Sequence, residues 1–226
     1  MLAQGITYNT SMGLAAGAFM LLLFMFIRVV QQPGRRSIDG WAWMFVALGF
    51  FLAVTGTHMT LTWPLKQIPG AGCCAVDNVT FGEPAMFFGF LIFFGAIAIM
   101  RAEKAALDRG LELDLVATVR PFLYAGAFGG IGLIMFAVAG LEFGMWAPAP
   151  PDEPIARLMG TSILERFFVA GAYAITGLAA ITGAFAAEHR VVARIFAVAL
   201  FIAGMMWTFL SFTLFYGHVG FFPFPH

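Results

Sequence analysis

The stretch SMGLAAGAFMLLLFMFIRVV, residues 11–30, decides the fold: twenty residues whose only charge, Arg28, sits near the end. A helix crossing the hydrocarbon core of a bilayer needs about 20 predominantly apolar residues, because no water there can satisfy backbone N–H and C=O groups. Five further stretches read the same way. The expected spans are Ser11–Val30, Gly40–Trp63, Pro84–Met100, Thr118–Trp146, Ser162–Ala187 and Ala193–His218. Pro33 and Gly34 end the first span, Pro64 ends the second, and Pro84 suits the first turn of the third. The fourth is longer than the core requires, which predicts a tilted or projecting helix.

Composition agrees. The chain is 61% hydrophobic and 11% charged, with a mean hydropathy of +0.90, whereas soluble domains carry roughly 25% charged residues. A formal net charge of zero argues against a nucleic-acid partner. No loop is long enough for a soluble domain, so residues 1–226 read as a single transmembrane helical domain. No basic region precedes the first apolar run and no small-residue cleavage site follows it, so that helix reads as retained rather than as a signal peptide. The fold class expected is therefore all-α, an integral membrane bundle of six transmembrane helices in contact with the lipid bilayer.

Charge predicts the orientation. The loops after spans one, three and five hold Arg28, Arg35, Arg36, Arg101, Lys104, Arg109, Arg120, Arg190 and Arg194; the opposite side keeps Lys66, Arg157 and Arg166. The excess of basic residues marks the cytoplasmic side, so both termini are expected on the exoplasmic face. Trp63 and Trp146 would then form an outer aromatic belt, with Trp41 and Trp43 near the inner one.

A possible internal repeat relates spans two and three to spans four and five. GTHMTLTWPL, a loop and NVTFGEPAMFFG stand against GLEFGMWAP, a loop and GTSILERFFVAG. In both, a potential ligand (His58, Glu142) shortly precedes a Trp, a Glu (Glu83, Glu165) follows the loop, and a Gly (Gly89, Gly171) lies six residues further on. Such hairpins suit a parallel repeat about the membrane normal.

Ionisable residues inside spans are costly and normally face the bundle interior. His58, Glu83, Glu142, Glu165 and His218 all fall near the outer ends. Thr55, His58 and Thr62 share one helical face, as do Thr208, Ser211 and His218. By helical rise His58 lies about 7 Å below Trp63 and Glu142 about 6 Å below Trp146, so the five could converge in one outward-opening pocket. Three carboxylates and two imidazoles suit one or two ions of iron, copper, zinc or manganese. The Glu-x-x-His signature of di-iron bundles is missing, with Met86, Met145 and Phe168 in the third position after each Glu. A haem held by His58 and His218 ranks behind a bare metal. The competing reading is structural: Glu residues paired with Arg166, Tyr216 or helix N-termini, and His residues bonded to threonines.

Cys73 and Cys74, adjacent in an outer loop, could form a vicinal disulfide, pair with another chain, bind a soft metal ion, or remain two thiols. Gly126 and Gly130 favour close helix packing. The many Phe residues would face lipid or a neighbouring subunit, and the apolar tail GFFPFPH would lie on the membrane or against a partner.

GTHMTLTWPL (Gly56–Leu65) and NVTFGEPAMFFG (Asn78–Gly89) resemble an uncharacterised family of small polytopic membrane proteins of bacteria and archaea. The resemblance implies a prokaryotic cytoplasmic membrane and carries no activity.

Three functions compete. The first is a metal-dependent membrane oxidoreductase, or a redox subunit, built on the Glu/His cluster. The second is a non-catalytic subunit of a larger respiratory, photosynthetic or oxygenase-type complex with other membrane-protein subunits. A small transporter ranks last, because the inner half of the bundle offers little polarity beyond Thr176 and Thr182.

Overall fold

Apolar runs make helices here, and single residues end them. The computed structural model describes residues 2–32, 37–62, 74–146, 154–160 and 162–220, with the backbone alone described for 2–9, 74–78, 162 and 214–220. The helices are α1 (Leu2–Val30), α2 (Asp39–Thr62), α3 (Cys74–Asp108), α4 (Leu115–Glu142), the short α5 (Pro154–Met159), α6 (Ser162–Gly183) and α7 (Arg190–Gly220). The described residues contain no strand. Six of the helices are long and apolar enough to cross a membrane. The protein is a multi-pass membrane protein of the expected all-α class.

Gly110 follows α3 with φ +66° and Gly144 follows α4 with φ +59°, left-handed conformations that glycine adopts without a Cβ clash. Beyond each, an amide reaches back five residues: Leu111 N–H to Ala106 O at 2.8 Å and Met145 N–H to Gly140 O at 3.0 Å. Asp114 then caps α4, its carboxylate accepting from Ala117 N–H at 2.9 Å.

The long helices alternate in direction. One end of the bundle, the terminal end, carries the start of α1 and the end of α7. The other, the basic end, carries the turns from α3 to α4 and from α6 to α7. The long helices pack in the closed order α1–α2–α3–α4–α6–α7, α1 also touches α3 across the ring, and α5 leans on α6 and α7.

Three of these joints are tight, and glycine makes each of them. A Cβ on Gly49 would stand 2.5 Å from Phe93 N, and on Gly56 it would strike Met86 N, so α2 and α3 touch backbone to backbone. Gly130 and Gly177 do the same for α4 and α6, with each Cβ 2.5–2.6 Å from the other residue's carbonyl oxygen. Gly17 against Thr208 N (2.8 Å) and Gly13 against Ser211 Oγ (2.5 Å) seal α1 to α7. In a bilayer, where lipid tails are as apolar as the helices, this close approach is the main source of association. The bundle is thus three glycine-sealed pairs closed into a ring. Its outside is apolar, with Phe50, Phe94, Phe128, Met135 and Phe201 all exposed.

The structure corrects several local expectations. Pro84 does not open the third span: it lies inside α3, which begins at Cys74. The fourth helix stops at Glu142, and Trp146 lies beyond the Gly144 turn, folded over Gly140 and only 5% exposed, so it is no part of an interfacial belt. A Cβ on Gly171 would meet the Met206 methyl at an ordinary 3.5 Å, so Gly171 does not repeat the packing role of Gly89, whose Cβ would strike Ala53 N. Trp63, Cys73 and the tail 221–226 lie outside the described residues, as do the side chains of Cys74, Tyr216 and His218.

Candidate functional site: an apolar cavity inside the ring

The ring is not filled. It leaves an open-mouthed cavity of about 1260 Å³ to which all six long helices contribute. Its walls are apolar, including Phe19, Met20, Leu23, Ile92, Leu123 and Leu200. It runs to the basic end, where Arg28, Gln31, Glu103, Glu112, Asp114 and Arg194 line its rim. Gly126 belongs to the wall: a Cβ there would meet nothing within 4 Å. Of the two glycines expected to tighten packing, Gly130 does so and Gly126 leaves space.

Toward the terminal end the cavity stops against an aromatic floor. The Tyr173 ring, 1% exposed, lies edge-on to Trp207 (centroids 5.1 Å, 84°) and stacks on Trp146 (5.5 Å, 12°). Phe81 meets Trp207 at 5.9 Å, and Phe136 meets Tyr173 at 6.2 Å. Offset and edge-to-face pairs of this kind add roughly 0.5–1.5 kcal/mol each beyond area burial. Behind them α5 inserts Ile155, which has no exposed surface.

Two polar tips of the floor are bonded, while Trp146 Nε1 is buried with no hydrogen-bond partner among the described residues. Trp207 Nε1–H donates to Thr176 Oγ1 at 2.9 Å, and that hydroxyl donates to Ala172 O at 2.7 Å. Tyr173 O–H donates to Thr80 O at 2.8 Å. This last bond has a reason in the sequence. The carbonyl of Thr80 would ordinarily accept from the amide four residues on, but that residue is Pro84, which has no N–H. Tyr173 supplies the donor the proline lacks, so α3 runs through Pro84 with that carbonyl bonded.

The five sequence-predicted ligands are distributed differently. His58 near the end of α2, Glu83 in α3 and Glu142 at the end of α4 are exposed. Glu165, in the first turn of α6, is 7% exposed. The His218 side chain is outside the described set. Among the described residues no three His, Cys, Asp or Glu side chains come together to hold an ion. The threonine stripe of α2 divides: Thr55 is buried and bonds to Phe51 O at 2.6 Å, and Thr62 bonds to His58 O at 2.7 Å. These hydroxyls are satisfied by their own helix, as is usual for threonine in apolar surroundings.

Sequence reasoning passed over Tyr173 and Trp207, and gave Gly126 a packing role. A signal existed for two of them: aromatics with polar tips in mid-span need a partner in hydrocarbon, and Thr176 lies one turn from Tyr173.

A ring of six helices long and apolar enough to cross a membrane, built around an apolar cavity, defines the class: a polytopic membrane protein. The chain belongs to the family described as "Protein of unknown function (DUF981)", whose family model matches residues 3–220. No curated protein and no solved structure matches it.

Proposed function

We propose that this protein holds the hydrocarbon part of a lipid-like molecule inside its helical ring. The observation that carries the reading is the cavity. At 1260 Å³ it exceeds the roughly 300–1,000 Å³ of ordinary small-molecule pockets. Left without a guest, walls of that extent would forgo the dispersion contacts that close-packed side chains make. Apolar walls disfavour filling by water, since buried water needs two to four polar partners. A chain of methylenes or isoprene units meets both constraints.

With the basic end on the cytoplasmic side, as the distribution of Arg and Lys argues, the guest enters from the inner leaflet or the cytoplasm. The aromatic floor then separates it from the exoplasmic face. The test is extraction of purified protein into organic solvent, with mass spectrometry of what it carries. Wild type is expected to retain a long-chain molecule in near-stoichiometric amount, and Gly126→Leu, which fills the wall, to retain several-fold less. Equal lipid content in the two proteins would refute the reading.

A second reading, a metal centre at the terminal end serving redox chemistry, draws on one observation. Glu165 is a buried carboxylate at the same end of the bundle as His58, Glu83 and Glu142. Elemental analysis tests it: stoichiometric iron, copper, zinc or manganese, lost in Glu165→Gln, is the expected result. Its absence would remove the reading.

A further inference from the structure

We infer that the guest carries an anionic head, a phosphate or carboxylate, held at the cavity rim by Arg28 of α1 and Arg194 of α7. The inference rests on the lipid-holding reading above and adds the chemistry of the head.

The rim carries both signs of charge, but the two are not equally available. Glu103 accepts the amide of Ile38 at 3.2 Å, and Asp114 accepts that of Ala117 at 2.9 Å as the cap of α4. These two carboxylates tie backbone amides, and Glu112, exposed on the same rim, is the third acid there. Neither guanidinium is engaged with a carboxylate: the one ion pair among the described residues joins Arg120 to Glu188. Arg28 lies over the Phe24 ring at 4.9 Å, a contact that leaves its N–H groups available. Both arginines are exposed and both line the cavity.

Register brings the two to one level. In the antiparallel α1–α7 pair, Gly13 faces Ser211 and Gly17 faces Gly204 and Thr208. Continuing that register sets Arg28 opposite residues 196–197, about one helical turn from Arg194. The register therefore puts the two cations within about one helical turn of each other along the α1–α7 joint, and both line the cavity. Guanidinium forks match phosphate and carboxylate oxygens in pairs. An amphiphile with its anion at the rim and its chain against Leu23, Ala197 and Leu200 satisfies both regions at once.

The test is native mass spectrometry of the full chain in a neutral maltoside detergent, titrated with equimolar dioleoyl phosphatidylglycerol and dioleoyl phosphatidylcholine. Wild type is expected to prefer the anionic lipid by about tenfold in apparent Kd, and Arg28→Gln/Arg194→Gln to lower that preference below about twofold while still retaining lipid. Gly126→Leu and, independently, Ala197→Leu are expected to reduce retention of both lipids. No preference in wild type, with retention still sensitive to the filling variants, would overturn the anionic head and leave the lipid-holding reading standing. Loss of preference in the arginine variant with full retention in both filling variants would place the lipid on the outer surface and overturn both. Inorganic phosphate at millimolar concentration is expected not to displace the lipid; displacement would reveal a free-anion site and overturn the amphiphile.

Discussion

Replacing Tyr173 by Phe tests how α3 passes through Pro84. The substitution removes one hydroxyl and leaves the ring, with its contacts to Trp207 at 5.1 Å and Trp146 at 5.5 Å. What is lost is the donor to Thr80 O at 2.8 Å, on a residue with no exposed surface. A buried carbonyl deprived of its donor costs about 1–3 kcal/mol. For a chain of this length, where 1 kcal/mol moves Tm by roughly 2–4 °C, the melting point falls by about 2–12 °C. The same change in a Pro84→Ala background meets a different helix, because residue 84 now offers an amide to the same carbonyl. There Tyr173→Phe is expected to cost less than about 1 kcal/mol, the ordinary net worth of one hydrogen bond. The assay is a double-mutant cycle by reversible unfolding in mixed micelles. A coupling energy of about 1 kcal/mol or more stands clear of the 0.3–0.5 kcal/mol scatter of independent sites. Equal costs in the two backgrounds would refute the claim that tyrosine replaces the missing amide.

Three further outcomes follow from the geometry. Gly177→Leu drives a side chain at the carbonyl of Gly130, 2.5 Å from the new Cβ. It should cost at least the 1–3 kcal/mol of ordinary overpacking, whereas Gly171→Ala, 3.5 Å from a methionine methyl, should stay within about 0.5 kcal/mol; thermal melts of the pair check the contrast. Trp207→Phe forfeits the bond to Thr176 Oγ1 at 2.9 Å and should destabilise by about 0.5–1.5 kcal/mol, with Thr176→Val adding less on top of it than alone. Single cysteines introduced at Arg109 and Leu158, with Cys73 and Cys74 replaced by serine, report orientation. A membrane-impermeant maleimide should label Leu158→Cys in intact cells and Arg109→Cys only after lysis, and the reverse pattern would invert the topology.

The six spans were legible because backbone hydrogen bonding in hydrocarbon leaves a chain few choices, and apolar length announces the result. Helix ends were less legible, for reasons particular residues show. Pro84 reads as a start because proline usually is one, and only Tyr173, 89 residues further on in the sequence, makes it tolerable inside α3. Trp146 reads as an interfacial belt residue when the fourth helix is drawn through it. The Gly144 turn, at φ +59°, folds it back onto Gly140 instead. Both differences come from contacts between segments, which periodicity along one segment does not carry.

The cavity was illegible for a different reason. Sequence separates inside from outside by polarity, and in this chain both sides of the wall are apolar. On α4, Leu123 and Gly126 line the cavity while Phe128, Ile131 and Met135 are exposed on the outside, and no scale of hydrophobicity tells these groups apart. The same blindness drew attention to the charged residues of the terminal end. His58 and Glu142 lie at or near helix ends and Glu83 inside α3, all three exposed, and an exposed side chain does not bear the burial cost that makes a mid-membrane carboxylate turn inward. Glu165, one turn into α6, is buried. The more telling polar groups were neutral ones deep in the spans. A Trp, a Tyr and a Thr placed where only other protein can bond them must meet, and where they meet the helices close into a floor. The helices below that floor are held in pairs by glycine, and between the pairs they leave the space that a guest fills.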